Sequence, residues 1–443
     1  MPVIGLRALH GYLEAPPDST PVERHNFHHA FREAALIGVI NAAIAFLPVF
    51  VARLGGTNLE VSLVTALPSL TGVLLAIPLG GFMQTRRNII PWYARGRLGS
   101  QLAFGLVALA SLLLPGRLVI PWILAIYGIA TVFATMTNVS FNVVMDATAG
   151  TRGRFELMSR RWSIMGVATA GSLALVGTVL GWLPFPLNYQ VVFTGFALTG
   201  VWAYQFGSRI QVPDHPSSAR GTAGEAFSAR VRSMVARVLA ERPFLAFEGR
   251  RLVYAMSAML TLPLIPLYYV RVLDAPDQWI GLMGTVQALM LLVGYAIWRW
   301  QARLRGAGFV LAMATFGAAL YPAALSLTHG IASAAVLAGL GAVFTSGVNL
   351  AIFDRLMTTV PRGYGVTFNS IDTTIVYLAG VVAPVLGALL ADWIGIGGAL
   401  RVSAVIGLAG ATLFALDRGP RPDSAPATHL EGVVDAESVA PEA

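Results

Sequence analysis

From residue 31 to residue 416 this chain is a succession of apolar runs, with arginines gathered in the short connections between them. Each run is about 20 residues long, enough for a helix to cross the ~30 Å hydrocarbon core of a bilayer. A helix also satisfies its own backbone hydrogen bonds, which lipid cannot do for it. Hydrophobic residues make up 56% of the 443 and charged ones only 12%, against about 25% charged in a soluble domain. Such a chain could not cover a water-facing surface. It is read as an all-α integral membrane protein with twelve transmembrane helices. The first six spans are placed at 31–51, 59–83, 98–114, 118–144, 162–180 and 189–207. The second six are placed at 247–270, 279–297, 307–327, 331–353, 369–391 and 399–416.

Charge placement tests that map. The net charge is +8, there is no Lys, and all 30 basic residues are Arg. With the N-terminus cytoplasmic, only Arg53, Arg117, Arg271 and Arg401 fall outside. Positive charge is retained on the cytoplasmic side, so both termini are read as cytoplasmic in an inner (cytoplasmic) membrane. Residues 1–30 lack the apolar core of a cleavable signal, and the first span is read as an uncleaved anchor. Tryptophans such as Trp92, Trp182, Trp279 and Trp393 lie near span ends, where interfacial belts form. Arginines beside spans point to lipid headgroups as the basic partner rather than nucleic acid.

Several chemistries are excluded. There is no Cys, hence no disulfide or thiolate chemistry, and no Lys for a phosphate-binding loop. His25, His28 and His29 have no further ligand at fixed spacing, so no metal site is assigned. No cofactor and no enzymatic constellation is read here. Domains are set at 1–30 (N-terminal segment), 31–207 (first bundle), 208–243 (linker), 244–416 (second bundle) and 417–443 (disordered tail). Within the linker, Phe227, Val231, Met234, Val235, Val238 and Leu239 share one face, so an amphipathic helix is expected along the inner surface. A helix packed on the protein itself suits the same pattern.

The two halves repeat. Pro48 and Arg53 close the first span as Pro266 and Arg271 close the seventh, at an offset of 218 residues. Asn142 and Asp146 before Arg152 match Asn349 and Asp354 before Arg362 at the ends of spans four and ten. Two six-span halves in one orientation imply a pseudo-twofold axis along the membrane normal.

With that repeat and its central linker, the chain resembles the major facilitator superfamily over nearly its whole length. Between spans two and three the family's glycines and basic pair are matched by Gly80, Gly81, Arg86 and Arg87, while Gln84 stands where an Asp is expected. Gly177 and Gly181 mark span five without the Gly-Pro pair of drug antiporters, and Gly380, Pro384 and Gly387 mark span eleven. No subfamily is assigned.

The resemblance implies a central cavity lined by spans 1, 4, 7 and 10. Span four carries Thr131, Thr135, Asn138 and Asn142 on one helical face, and span seven carries Arg250, Tyr254, Ser257 and Thr261. Asn41, Thr345, Ser346 and Asn349 complete the polar set. Polar side chains avoid lipid, so these are the substrate-binding candidates. Hydroxyls bonded to their own i−4 carbonyls would serve equally as helix–helix contacts. Charged candidates for gating and coupling are Glu33, Arg250, Arg251, Asp146, Arg152, Asp354, Arg362 and Asp372. Glu33 is expected to pair with Arg250 or Arg251 across the halves when the cytoplasmic side closes. Glu33 and Asp372 are the candidate proton carriers should transport be coupled to protons or another ion. No charge stands at the middle of spans 1, 4, 7 or 10, which favours a neutral or amphipathic substrate. The function read from all this is monomeric secondary transport of a small molecule by alternating access, with efflux ahead of uptake. The competing reading is a non-transporting protein of the same fold for lipid or pigment handling or complex assembly.

Overall fold

Two capping boxes set where the first two helices begin. Thr20 Oγ1 accepts from the Glu23 backbone N–H at 3.2 Å, and Glu23 Oε2 accepts from Thr20 N–H at 2.8 Å. Thr57 and Glu60 repeat the arrangement at 3.1 and 2.6 Å. Each N-cap stabilises its helix by about 1 kcal/mol. α1 (Pro21–Arg53) therefore starts ahead of its apolar run, and α2 (Asn58–Gln84) starts close to its expected edge. In the extra turns of α1, Asn26 Nδ2 donates to Gln211 O at 2.7 Å, and the His25 ring meets Arg209 O at 3.0 Å.

The computed structural model describes residues 19–212, 241–360 and 365–416, with the side chains of 84, 142, 146, 147, 149–156 and 365–367 outside the described set. The expected amphipathic linker helix, the tail and Arg362 lie outside the described residues, as do the side chains of Asn142, Asp146 and Arg152. The first bundle continues with α3 (Ile90–Leu113), α4 (Gly116–Trp182) and α5 (Leu187–Gly207). The second holds α6 (Arg242–Arg271), α7 (Asp277–Arg305), α8 (Ala307–Ser326), α9 (Ile331–Thr359) and α10 (Gly365–Ala415).

Ten helical runs among the described residues are long and apolar enough to cross a membrane by length and composition. Two of them, Gly116–Met145 and Leu157–Trp182, lie on α4. Both ends of α4 sit at one end of the molecule, Ile120 beside Gly56 and Gly181 beside Gln278, so the chain reverses between the two runs. The run in α10 is two helices broken at Gly395, whose φ of 77° favours glycine. With α5 beside them, and the α10 run divided at Gly395, the described residues hold twelve such helices, six to a bundle.

Aromatic stacking holds the first bundle, with Phe50 4.7 Å from Tyr189 and 5.4 Å from Phe193 between ring centroids. Phe244 meets Phe368 edge-on at 4.7 Å in the second. Outward faces carry exposed Leu74, Leu112, Leu198, Leu320 and Val405, as lipid contact requires. Trp182 and Trp393 are exposed near helix ends, whereas Trp298 is buried and donates to Val343 O at 2.7 Å. The bundles meet where α2 packs on α10 and the second run of α4 packs on α7, with α1 touching α6.

Candidate functional site

Glycines let the bundles close on each other. A Cβ placed on Gly177 would lie 2.9 Å from the Gly281 Cα, and one on Gly281 would lie 2.6 Å from Leu173 O. Only small residues permit backbones to come so near, as in membrane helix pairs with small residues four apart. Gly177 and Gly181 are such a pair, and both face α7. Thr285 Oγ1 donates to Ala170 O at 3.0 Å along the same seam. On the other side, Gly72 of α2 approaches the Tyr377 ring of α10.

Arginines then tie this end shut. Arg53 at the end of α1 donates through Nε and Nη2 to Asp277 Oδ1, each at 3.2 Å, and through Nη2 to Ala275 O. Its repeat mate Arg271, at the end of α6, donates to Asn58 Oδ1 at 2.6 Å and to Gly56 O. Asn58 Nδ2 passes the link on to Asp392 Oδ1 at 2.6 Å. Each arginine thus crosses to the other bundle and binds the connection after the repeat-related helix. We call this the sealed end; the opposite end, where α1 begins and α10 finishes, is the terminal end.

A cavity of about 660 Å³ lies among α1, α2, α3 and both runs of α4. Asn41, Thr131 and Asn138 line it with Phe104, Tyr127 and Phe141, and its rim exposes Ile44, Asn138 and Trp162. Arg97 and Arg161 stand in its wall beside a buried charge cluster. Glu33 is fully buried there. Tyr93 Oη donates to Glu33 Oε1 at 2.8 Å, and Arg97 Nη2 donates to Tyr93 Oη at 2.8 Å. Arg97 Nε lies 3.3 Å from Glu33 Oε1 and Arg161 Nη2 lies 3.6 Å from Oε2. The second bundle has a counterpart, in which Arg251 on α6 pairs with Asp372 on α10 and Glu248 is buried one turn before it. Neither Glu248 oxygen has a hydrogen-bond partner.

The structure brings together some of the polar residues singled out in the sequence and separates others. Asn41 donates to Thr169 Oγ1 at 3.4 Å beside Thr131 and Asn138. Thr135, on the same stripe, turns to α2 and donates to Thr71 Oγ1 at 3.2 Å. The span-seven stripe faces away from the cavity. Tyr254 packs on Gly410, Ser257 donates to Ser403 O at 2.7 Å, and Thr261 meets Ser403 Oγ at 2.6 Å. Thr345 and Asn349 are exposed on α9, where Asn349 donates to Tyr295 Oη at 3.3 Å, while Ser346 is buried. Asp354 lines a separate cavity of about 480 Å³ with Tyr295 and Arg299. The described partners of Glu33 belong to its own bundle, as does Asp372, the partner of Arg251; the expected pairing of Glu33 with Arg251 is absent from this conformation. Arg250 is half-buried on α6. Sequence reasoning passed over Arg97, Arg161 and Glu248. Each sits near a span edge, where a charge ordinarily reaches for headgroups, and only packing shows it turned inward.

Solved structures share this architecture. The nucleoside transporter NupG aligns with a TM-score of 0.68 at 10% identity, covering 88% of this chain and 98% of that one. A bacterial homologue of the iron transporter ferroportin, in an inward-facing state, gives 0.68 at 14% identity over 89% and 97%. The D-xylose–proton symporter gives 0.65 at 16% identity over 88% and 97%. No family model matches the chain, and no curated protein matches it in sequence. The chain has the fold that these solved transporters share. Within that fold no subfamily is assigned.

Proposed function

We propose that this protein is a secondary transporter that moves an amphipathic small molecule by alternating access. The observation that carries the reading is a polar and aromatic cavity in the first bundle, in a protein whose two bundles are tied together at one end by Arg53 and Arg271. Alternating access needs two such bundles rocking about a site between them, with contacts that exchange between states. The solved relatives in fold include a nucleoside transporter, a D-xylose–proton symporter and a bacterial homologue of an iron transporter, which supports transport without naming this substrate. The arginine skew supports a cytoplasmic terminal end in an inner membrane, and on that reading the present state is inward-facing. Export is the direction we put first, on the apolar rim of Ile44 and Trp162 that a membrane-partitioned compound would meet.

The absence of Cys makes a direct test simple. Spin labels at Leu59→Cys with Trp279→Cys report the sealed end, and at Arg87→Cys with Ala307→Cys the terminal end. In the full chain reconstituted in lipid, the first distance lengthens as the second shortens, so that two populations appear at each pair. A single unchanging distance at both pairs would sink the transporter reading and favour a static scaffold.

A further inference from the structure

The wall of the first-bundle cavity is unbalanced in charge. Among the described residues, Arg97 and Arg161 set two guanidiniums against the one carboxylate of Glu33. Tyr93 and Arg97 both engage Glu33 Oε1, and Oε2, which has no hydrogen-bond partner, is left to Arg161 at 3.6 Å. Arg161 is the looser of the two. Its side chain is only 3% exposed, its Nε has no hydrogen-bond partner, and its one described carboxylate contact is 3.6 Å long. Its guanidinium lies over the Phe141 ring at 4.7 Å, which fixes its plane without supplying an acceptor. Gln101 on the same wall is buried with Oε1 unpartnered, so a ligand donor would also be met there. Among the described residues two buried guanidiniums share one carboxylate, which leaves them short of counter-charge, and the unpartnered Arg161 Nε is a donor of the kind that binds a carboxylate or phosphate.

Resting on the reading of this cavity as the transport site, we propose that the substrate is an amphipathic organic anion. Its acidic group binds Arg161 and Arg97, and its apolar body lies along Phe104 and Tyr127. This narrows the neutral or amphipathic substrate that the charge-free middles of spans 1, 4, 7 and 10 favoured to an amphipathic one that carries an acid. The charge comes instead from spans three and five.

The test compares phenylbutanoate, phenylbutanamide and phenylbutylamine, which share one skeleton, by thermal unfolding of the full-length protein in detergent. A ligand bound only by the folded state raises the midpoint in proportion to its occupancy. The acid is expected to bind at least about tenfold more tightly than the amide, and the amine more weakly still. Arg161→Gln removes that preference. Should that variant fail to fold, Asn138→Asp on the exposed rim puts a negative charge in the same space and is expected to weaken the acid and strengthen the amine. An amide that binds as well as the acid would overturn the anion inference while leaving the cavity reading in place. No stabilisation by any of the three, in protein whose spin-label distances still exchange, would overturn the cavity as the ligand site and the inference with it.

Discussion

The two ends of the molecule use charge in opposite ways. At the sealed end Arg53 and Arg271 leave their own bundles and bind the other. At the terminal end Glu33 and Arg251, also related by the repeat, turn into their own bundles and bind Arg97, Arg161 and Asp372. The two differ in burial by degree: the Arg53 side chain is 22% exposed, against 17% for Arg251 and 13% for Arg97, while the carboxylates of Glu33 and Asp372 are buried. Contacts that break in each cycle must hold states of similar energy, so links that keep some solvent contact suit the sealed end. Buried intra-bundle pairs instead make each bundle a body that moves whole. The clusters also differ in sign, since Glu33, Arg97 and Arg161 carry a net positive charge while Glu248, Arg251 and Asp372 carry a net negative one when ionised.

The largest effect expected comes from breaking a buried cluster. Glu33→Ala leaves Arg97 and Arg161 facing each other without their carboxylate, at a cost of about 3–5 kcal/mol. The measurement is the thermal midpoint of the purified protein, and the loss should exceed that of any single change at the sealed end. A midpoint within error of the parent would show that the terminal-end cluster does not hold the bundle together, and the contrast between the two ends would fall.

Next comes the seal itself. Gly177→Leu forces a side chain into the Gly281 backbone, where overpacking costs about 1–3 kcal/mol. Because that contact lies between bundles, the strain falls on one conformation and not on the fold. The spin-label distance across the sealed end should lengthen in most molecules while the unfolding midpoint moves little. An unaltered distance distribution would mean that the glycine seam is not what closes this end.

How far the sequence could be read follows the same division. Spans were legible because lipid imposes one length and one composition on all twelve. The repeat was legible because Pro48, Arg53, Pro266 and Arg271 keep their separations. The role of that repeat was not, since nothing in the residue order says that each arginine crosses to the other bundle. Helix starts at Pro21 and Arg242 run beyond the apolar edges, because caps and polar turns extend helices past the lipid. Polar stripes proved the least legible. Thr131 and Asn138 reach the cavity, but Thr135, one turn from Thr131, bonds to α2 instead. Periodicity shows which residues share a face, and only packing shows what that face meets.

A smaller effect sharpens the comparison by symmetry. Arg53→Ala and Arg271→Ala each remove charge-assisted hydrogen bonds between the bundles, worth about 1–2 kcal/mol after allowance for solvent. Each should shift the population away from the sealed conformation by roughly fivefold to thirtyfold. The two shifts should match within a factor of a few, read by labelling of Asn138→Cys in membranes, which falls as the terminal end closes. A large effect from one arginine with none from the other would show that the repeat is symmetric in sequence and not in mechanism.

The smallest expected effect concerns the stripe on α6. Ser257, Thr261 and Ser403 form a closed set, in which Ser403 Oγ also donates to Ser257 O at 2.9 Å, and all three are buried between α6 and α10. Hydroxyl bonds between membrane helices are worth about 0.6 kcal/mol on average. Thr261→Ala should therefore lower the unfolding midpoint slightly and leave ligand-induced stabilisation as it was. Asn138→Ala should do the reverse, leaving the exposed rim stable and altering the ligand response. Both residues were drawn from the same reasoning about polar faces in spans four and seven, so the pair separates a hydroxyl that joins helices from an amide that meets a solute. Loss of the ligand response in Thr261→Ala would move the site to the interface of α6 with α10 and away from the first-bundle cavity.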